Sequence, residues 1–297
     1  MKILVTGADG QVGAETGRYA WPAGWKVVRL GHRGLDITDQ AALADAFTRF
    51  APTLVINLAA YTAVDQAESE PERVFAANRD GPANLAALCA AHRAALIHLS
   101  TDYVFDGSKD GAYLEDDSVG PLGVYGASKA AGEAAIRGRL DAHLILRTAW
   151  IYGARGDNFV KTMLRLGAER DTVPVVADQI GAPTWAGDIA AALARLAQAV
   201  ADGNAVWGTY HCTGAGVTSR AGLADAVFEL SAAATGRRAA VIPIATADYP
   251  TPARRPANSC LDCSKIERAF GIVPRPWRDG LARMLAQLHG EHARAGP

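Results

Sequence analysis

Lys2-Ile-Leu-Val-Thr-Gly7-Ala-Asp-Gly10-Gln-Val-Gly13 decides how the chain folds. A five-residue apolar run stops on Gly7, and Gly7, Gly10 and Gly13 follow at three-residue spacing. A strand that breaks into glycines and then opens a helix lets the backbone turn tightly and approach a pyrophosphate. The helix start then offers free N–H groups and the positive end of its dipole. The placement directly after a strand makes this run a dinucleotide cradle rather than an ordinary turn.

Working outward, the first half keeps alternating. Strands are expected at 26–30, 53–58, 95–100 and 143–147, with helices at 39–50, 78–92 and 125–137. Thr38 is the expected N-cap of the first of these helices. Such alternation predicts an α/β fold, a doubly wound parallel sheet of Rossmann type covered on both faces. The second half is less regular. Short strands are expected at 173–177, 210–213 and 241–244, and helices at 159–168, 185–201, 219–235 and 277–288. The expected division is a dinucleotide-binding domain over 1–150 and a smaller, mainly substrate-binding C-terminal lobe over 151–297. Segments of the lobe return to the sheet.

Lys and Arg number 30 against 31 Asp and Glu, a net charge of −1, so no charge surplus drives binding to nucleic acid or an anionic membrane. No stretch approaches the ~20 apolar residues of a membrane span, and the N-terminus does not read as an export signal. Four cysteines fit a reducing compartment. Cys260 and Cys263 lack a second ligand pair at zinc spacing. The expectation is a cytoplasmic protein acting on a small molecule.

The chemistry follows the strand ends. At the end of the second strand an NAD-specific site carries an acid; here stands Gly31, with Arg33 close by to meet a 2′-phosphate. NADPH is therefore the expected cofactor, with NADH also accepted, and Asp36 lies at the adenine edge. Ala59 and Ala60 end the third strand with small side chains that let a cofactor lie close. Thr101 ends the fourth, placed to hydrogen-bond a reacting oxygen. Tyr125 and Lys129 stand four apart on an expected helix and share a face. A phenol titrates near pH 10, and an adjacent ammonium brings it toward working pH. Trp150 by itself reads more readily as core, although at a strand end its ring has the shape to stack on a sugar or base.

Taken together these motifs resemble the extended short-chain dehydrogenase/reductase superfamily, and within it the dTDP-4-dehydrorhamnose reductase family. The resemblance runs over about 1–288. It is carried by the glycine run, Ala60-Tyr-Thr-Ala-Val-Asp65, Ser100-Thr-Asp-Tyr-Val-Phe-Asp-Gly107, Val124-Tyr-Gly-Ala-Ser-Lys129, Leu146-Arg-Thr-Ala-Trp-Ile-Tyr152, Asp178-Gln-Ile-Gly-Ala-Pro-Thr184 and Tyr249-Pro-Thr-Pro-Ala-Arg-Arg-Pro-Ala-Asn-Ser259. It implies hydride transfer from NADPH to the C4 ketone of a dTDP-6-deoxy-4-keto sugar. Tyr125, Lys129 and Thr101 are then catalytic. Cofactor contacts fall at Gly10, Gln11, Val12, Asp36, Ile37, Ala60, Tyr61, Thr62, Tyr125 and Lys129, and substrate contacts at Thr101, Asp102 and Trp150. Gly7, Gly13, Ala59 and Arg33 join the cofactor set from the physical reading.

Sugar dehydratases of the superfamily carry Asp-Glu after the strand-end Thr; here Tyr103 follows Asp102. An epimerase, or a non-catalytic regulatory subunit like that of methionine adenosyltransferase, are the rival readings. Some relatives bridge a homodimer with magnesium held by glutamates. Glu15 matches one ligand, but Gly187 stands where that pattern has Glu and Asp188 comes one place late. No metal ligand is therefore expected, and a homodimer stays open.

Overall fold

The computed structural model describes residues 1–295. Six parallel strands form the main sheet: β1 (Lys2–Thr6), β2 (Lys26–Leu30), β3 (Leu54–Asn57), β4 (Ala95–Thr101), β5 (His143–Thr148) and, from the second half of the chain, β10 (Gly208–His211). Their order is β10-β5-β4-β3-β1-β2, every pairing parallel. The strands are continuous apolar runs because both faces are covered. Ile3, Val5, Leu54, Ile56, Ile97, Leu144 and Leu146 pack on one side with α8 (Ala186–Ala201). Leu4, Val55, Leu96 and Ile145 point the other way, onto α2 (Gln40–Phe50), α5 (Gly81–His92) and α6 (Val124–Arg137). The expected fold class is the one observed.

The helix expected over 78–92 takes up its regular α-helical course only at Gly81, as α5. Two short helices, α3 (Val64–Ala67) and α4 (Pro71–Phe75), come first, and a π-helical turn covers Ala76–Asp80. Thr38 does not cap α2. Asp39 does, accepting from the Ala42 N–H at 3.0 Å, while the Thr38 hydroxyl donates to Asp36 at 2.8 Å.

The remaining chain builds a second core around α7 (Phe159–Glu169), α9 (Arg220–Thr235) and α11 (Trp277–Ala295), with β7 (Thr172–Val176) and β12 (Ala240–Ile244) paired in parallel. Two-residue strands stitch this lobe together: β6 (Ile151–Tyr152) with β9 (Thr184–Trp185), and β8 (Ile180–Gly181) with β11 (Thr218–Ser219) and β13 (Asn258–Ser259). Runs this short carry no periodicity to read, and α10 (Ser264–Phe270) was equally illegible.

Candidate active site

The carboxyl ends of β1, β3, β4 and β5 open into a cavity of about 820 Å³. Gly7 sits at φ +66°, and a side chain there would run into the backbone of Leu58 and Ala59. Only glycine lets the loop cross so close to the end of β3. Gly10 precedes α1 (Gln11–Arg18) without a side-chain cap, so no side chain competes for the first N–H groups of the helix. This is a cradle of the shape a pyrophosphate fits. Gly7, Gly10, Gln11, Val12, Gly13, Asp36, Ile37, Ala59, Ala60, Tyr61 and Thr62 all line the cavity.

Arg33 does not. It is exposed beyond the cavity wall, so the structure does not bring it to the site. His32 lines the wall instead. Nor is the end of β2 free of acid. The Ala8 N–H binds Leu30 O at 3.1 Å and draws the glycine loop against β2. Asp9 then lays its carboxylate over Gly31, where a β-carbon would overlap it. Burial works against ionisation of Asp36, but bonds from the Thr38 N–H and hydroxyl, with His32 near, hold its carboxyl below the usual range. Arg33→Ala is accordingly expected to change the NADPH dissociation constant by less than about threefold, as for an exposed charge off the cavity wall. A cofactor titration of the variant checks this.

At the floor of the cavity β4 and α6 meet. Tyr125 lies in the first turn of α6, its ring edge-on to Tyr103 with centroids 5.6 Å apart. Burial pushes its phenol above the ordinary value, and a hydrogen bond with Thr101 offsets part of this. Thr101 also accepts from the Tyr103 N–H at 3.2 Å and donates to Asp102 at 3.0 Å. Lys129 departs from expectation. It is 2% exposed and does not line the cavity. Its amine donates to Leu99 O at 2.7 Å and lies 3.2 Å from His98 Nε2, so it does not act on Tyr125 as a nearby ammonium.

The His98 ring explains the departure. Asn57 Oδ1 accepts from Thr6 at 2.6 Å and from the Ala59 N–H at 3.2 Å, which turns the Asn57 amide N–H toward His98 Nδ1 at 2.9 Å. A neutral imidazole accepts through one nitrogen and donates through the other, so Nε2 carries the proton that faces Lys129. The partner that can accept it is an uncharged amine. Burial lowers Lys129 to about 8, so that form is accessible near neutral pH. Nothing in the sequence pattern singled out His98, which stands in mid-strand.

On the second-lobe side, Asp102 is buried with Oδ2 lacking a hydrogen-bond partner among the described residues. Burial pushes its carboxyl up to about 6, against Ser259, Thr101 and Arg220. Trp150 holds a left-handed backbone, φ +48°, and its ring packs over Gly181. A bulky residue in that conformation is strained, a feature that clusters at functional sites. The Arg220 guanidinium stacks 3.7 Å over the Trp150 ring. Tyr103 and Arg220 also border a second cavity of about 440 Å³, lined by Phe159, Met163, Leu166, Val175 and Arg255. Arg255 is held by Asp65 through two bonds, 2.7 and 3.0 Å. Sequence reasoning missed Asp9, Arg220 and Arg255 as site residues, although the two arginines in 249–259 were a visible signal for the last.

Glu15 lies elsewhere, 6% exposed and accepting from Gln287 at 2.9 Å. A side chain at position 187 would meet the Trp185 ring at 2.5 Å, so no longer residue fits there without displacing that ring.

The family model described as RmlD substrate binding domain matches residues 1–289. A dTDP-4-dehydrorhamnose reductase of Sinorhizobium fredii is 44% identical over 290 residues, covering 97% of this chain and 98% of that one. The crystal structure of a dTDP-4-dehydrorhamnose reductase from Clostridium acetobutylicum superimposes with a TM-score of 0.90 at 38% identity, covering 97% of this chain and 100% of the other. That of a Bacillus anthracis dTDP-4-dehydrorhamnose reductase in complex with NADP gives 0.89 at 34% identity, covering 96% and 99%.

Proposed function

The chain belongs to the RmlD family of dTDP-4-dehydrorhamnose reductases, and from that premise we propose how its own residues perform the reduction. The reaction is hydride transfer from NADPH to the C4 ketone of dTDP-4-dehydro-6-deoxy-L-mannose, giving dTDP-L-rhamnose. The bound cofactor supplies the hydride; the protein supplies position, a proton and electrostatics.

The observation that carries the assignment of roles is the meeting of two cavities at Tyr103 and Arg220, close to Thr101, Asp102 and Tyr125. The larger, with the glycine loop on its wall, takes the dinucleotide. The smaller, largely apolar with two guanidinium groups on its wall, takes the substrate nucleotide, its diphosphate facing Arg220 and Arg255. The sugar then lies at the junction, against Trp150 and Asp102. Tyr125 donates the proton as the ketone oxygen gains charge, and Thr101 orients that oxygen. Lys129 ties α6 to the end of β4 through Leu99 O and His98, and so positions Tyr125 rather than touching the cofactor. The dinucleotide-binding domain over 1–150 and the mainly substrate-binding lobe over 151–297 divide these tasks, with β10 from the lobe's half of the chain extending the sheet.

Among the described residues no helix is long and apolar enough to cross a membrane. We place the reaction in the cytoplasm, with a small nucleotide sugar as partner. The test is loss of NADPH absorbance on adding dTDP-4-dehydrorhamnose, with the product identified as dTDP-L-rhamnose. Wild-type protein that oxidises no NADPH with this sugar would sink the proposal and revive the regulatory-subunit reading.

A further inference from the structure

We propose that Asp9 is the residue that sets the balance between the two nicotinamide dinucleotides, acting through the space that Gly31 leaves for it. In dinucleotide sites of this architecture the acid that reads the adenosine ribose stands at the end of the second strand. Here that position is Gly31, and the site is not empty of charge. The Ala8–Leu30 hydrogen bond pulls the loop onto β2, and the Asp9 carboxylate occupies the volume that a side chain at position 31 would fill. The acid comes from the glycine loop rather than from the strand. Asp9, over Gly31 at the end of β2, lines the same cavity as His32, Asp36 and Ile37, and the dinucleotide reading puts the adenosine at this end; Arg33 is not among the lining residues. A carboxylate there accepts from ribose hydroxyls and repels a 2′-phosphate. It therefore narrows the margin by which NADPH is preferred over NADH.

The inference rests on the dinucleotide reading of the larger cavity, and it is independent of the sugar. Its test is a fluorescence titration of full-length protein with NADPH and with NADH. Asp9→Asn keeps the shape and removes the charge. It is expected to tighten NADPH about tenfold while leaving NADH unchanged or weaker, for loss of one like charge at a partly solvated site. Added salt is expected to shrink that difference, because Asp9 is exposed. Gly31→Ala puts a methyl group where the carboxylate lies, and is expected to shift the NADPH-to-NADH ratio in the same direction by displacing it. An unchanged ratio in Asp9→Asn, or an equal change for both cofactors, would overturn the proposal. Wild-type protein that binds both cofactors but reduces no sugar would overturn the proposed reaction and leave the role of Asp9 standing. Wild-type protein that binds neither would overturn both.

Discussion

Tyr125→Phe is expected to bind NADPH as the wild type does and to lose about 10²–10⁴-fold in kcat, the usual worth of a positioned general acid. The substitution keeps the ring and its edge-on contact with Tyr103, so packing and the cofactor wall survive. It removes the hydroxyl that pairs with Thr101. A ketone that accepts hydride must gain a proton at oxygen, and a phenol held above its ordinary pKa by burial is protonated and ready to donate at neutral pH. The cost is a weaker acid, because burial disfavours the phenolate left behind. The Lys129 amine, turned to Leu99 and His98, does not offset it. Single-turnover reduction with saturating NADPH isolates the chemical step. A Tyr125→Phe protein that turns over at the wild-type rate would remove Tyr125 from the mechanism, whatever its relatives do.

The core of the fold was legible because period and punctuation agree. Continuous apolar strands mean two covered faces, and Gly7 stands where the loop crosses Leu58 and Ala59 with no room for a side chain. Tyr125 and Thr101 were legible because strand-end position and helical spacing are local properties. What escaped depends on which partner a side chain reaches across the fold. Gly31 was read as absence of an acid, yet absence of a side chain is what admits Asp9 from another loop. Lys129 shares a helix face with Tyr125, but its long stem carries the amine past that neighbour to β4. Arg220 opens a helix like any exposed arginine and is identified only by the Trp150 ring beneath it. The two-residue strands were illegible for a plainer reason: Tyr152 and Trp185 pair because the lobe brings them together, and no local pattern records it.

Glu133→Ala should be the most destabilising of the substitutions considered, at about 3–5 kcal/mol, because it strands a buried guanidinium. Glu133 and Arg147 are 0% and 3% exposed and joined by two bonds, 2.9 and 2.7 Å. Ser100 donates to the same carboxylate at 2.6 Å and Arg137 at 3.1 Å. Four donors outweigh burial and hold the Glu133 carboxyl below the ordinary glutamate range. A depressed folded pKa contributes stability above the unfolded value, near pH 4.3, and loses it as pH falls through the lower folded value. The stability gap between wild type and Glu133→Ala, read from urea midpoints, is therefore expected to be full at neutral pH and to close on strong acidification. Removing both partners together, Glu133→Leu with Arg147→Met, is expected to cost less than Glu133→Ala alone, since no charge is left unpaired. The cluster also reaches the chemistry. Glu133 lies two turns along α6 from Tyr125, and Ser100 is the residue before Thr101, so the carboxylate ties the helix of the acid to the strand end that orients the ketone. A gap of under about 0.5 kcal/mol at neutral pH, the size of an ordinary surface change, would show that this clamp does not hold the two elements together.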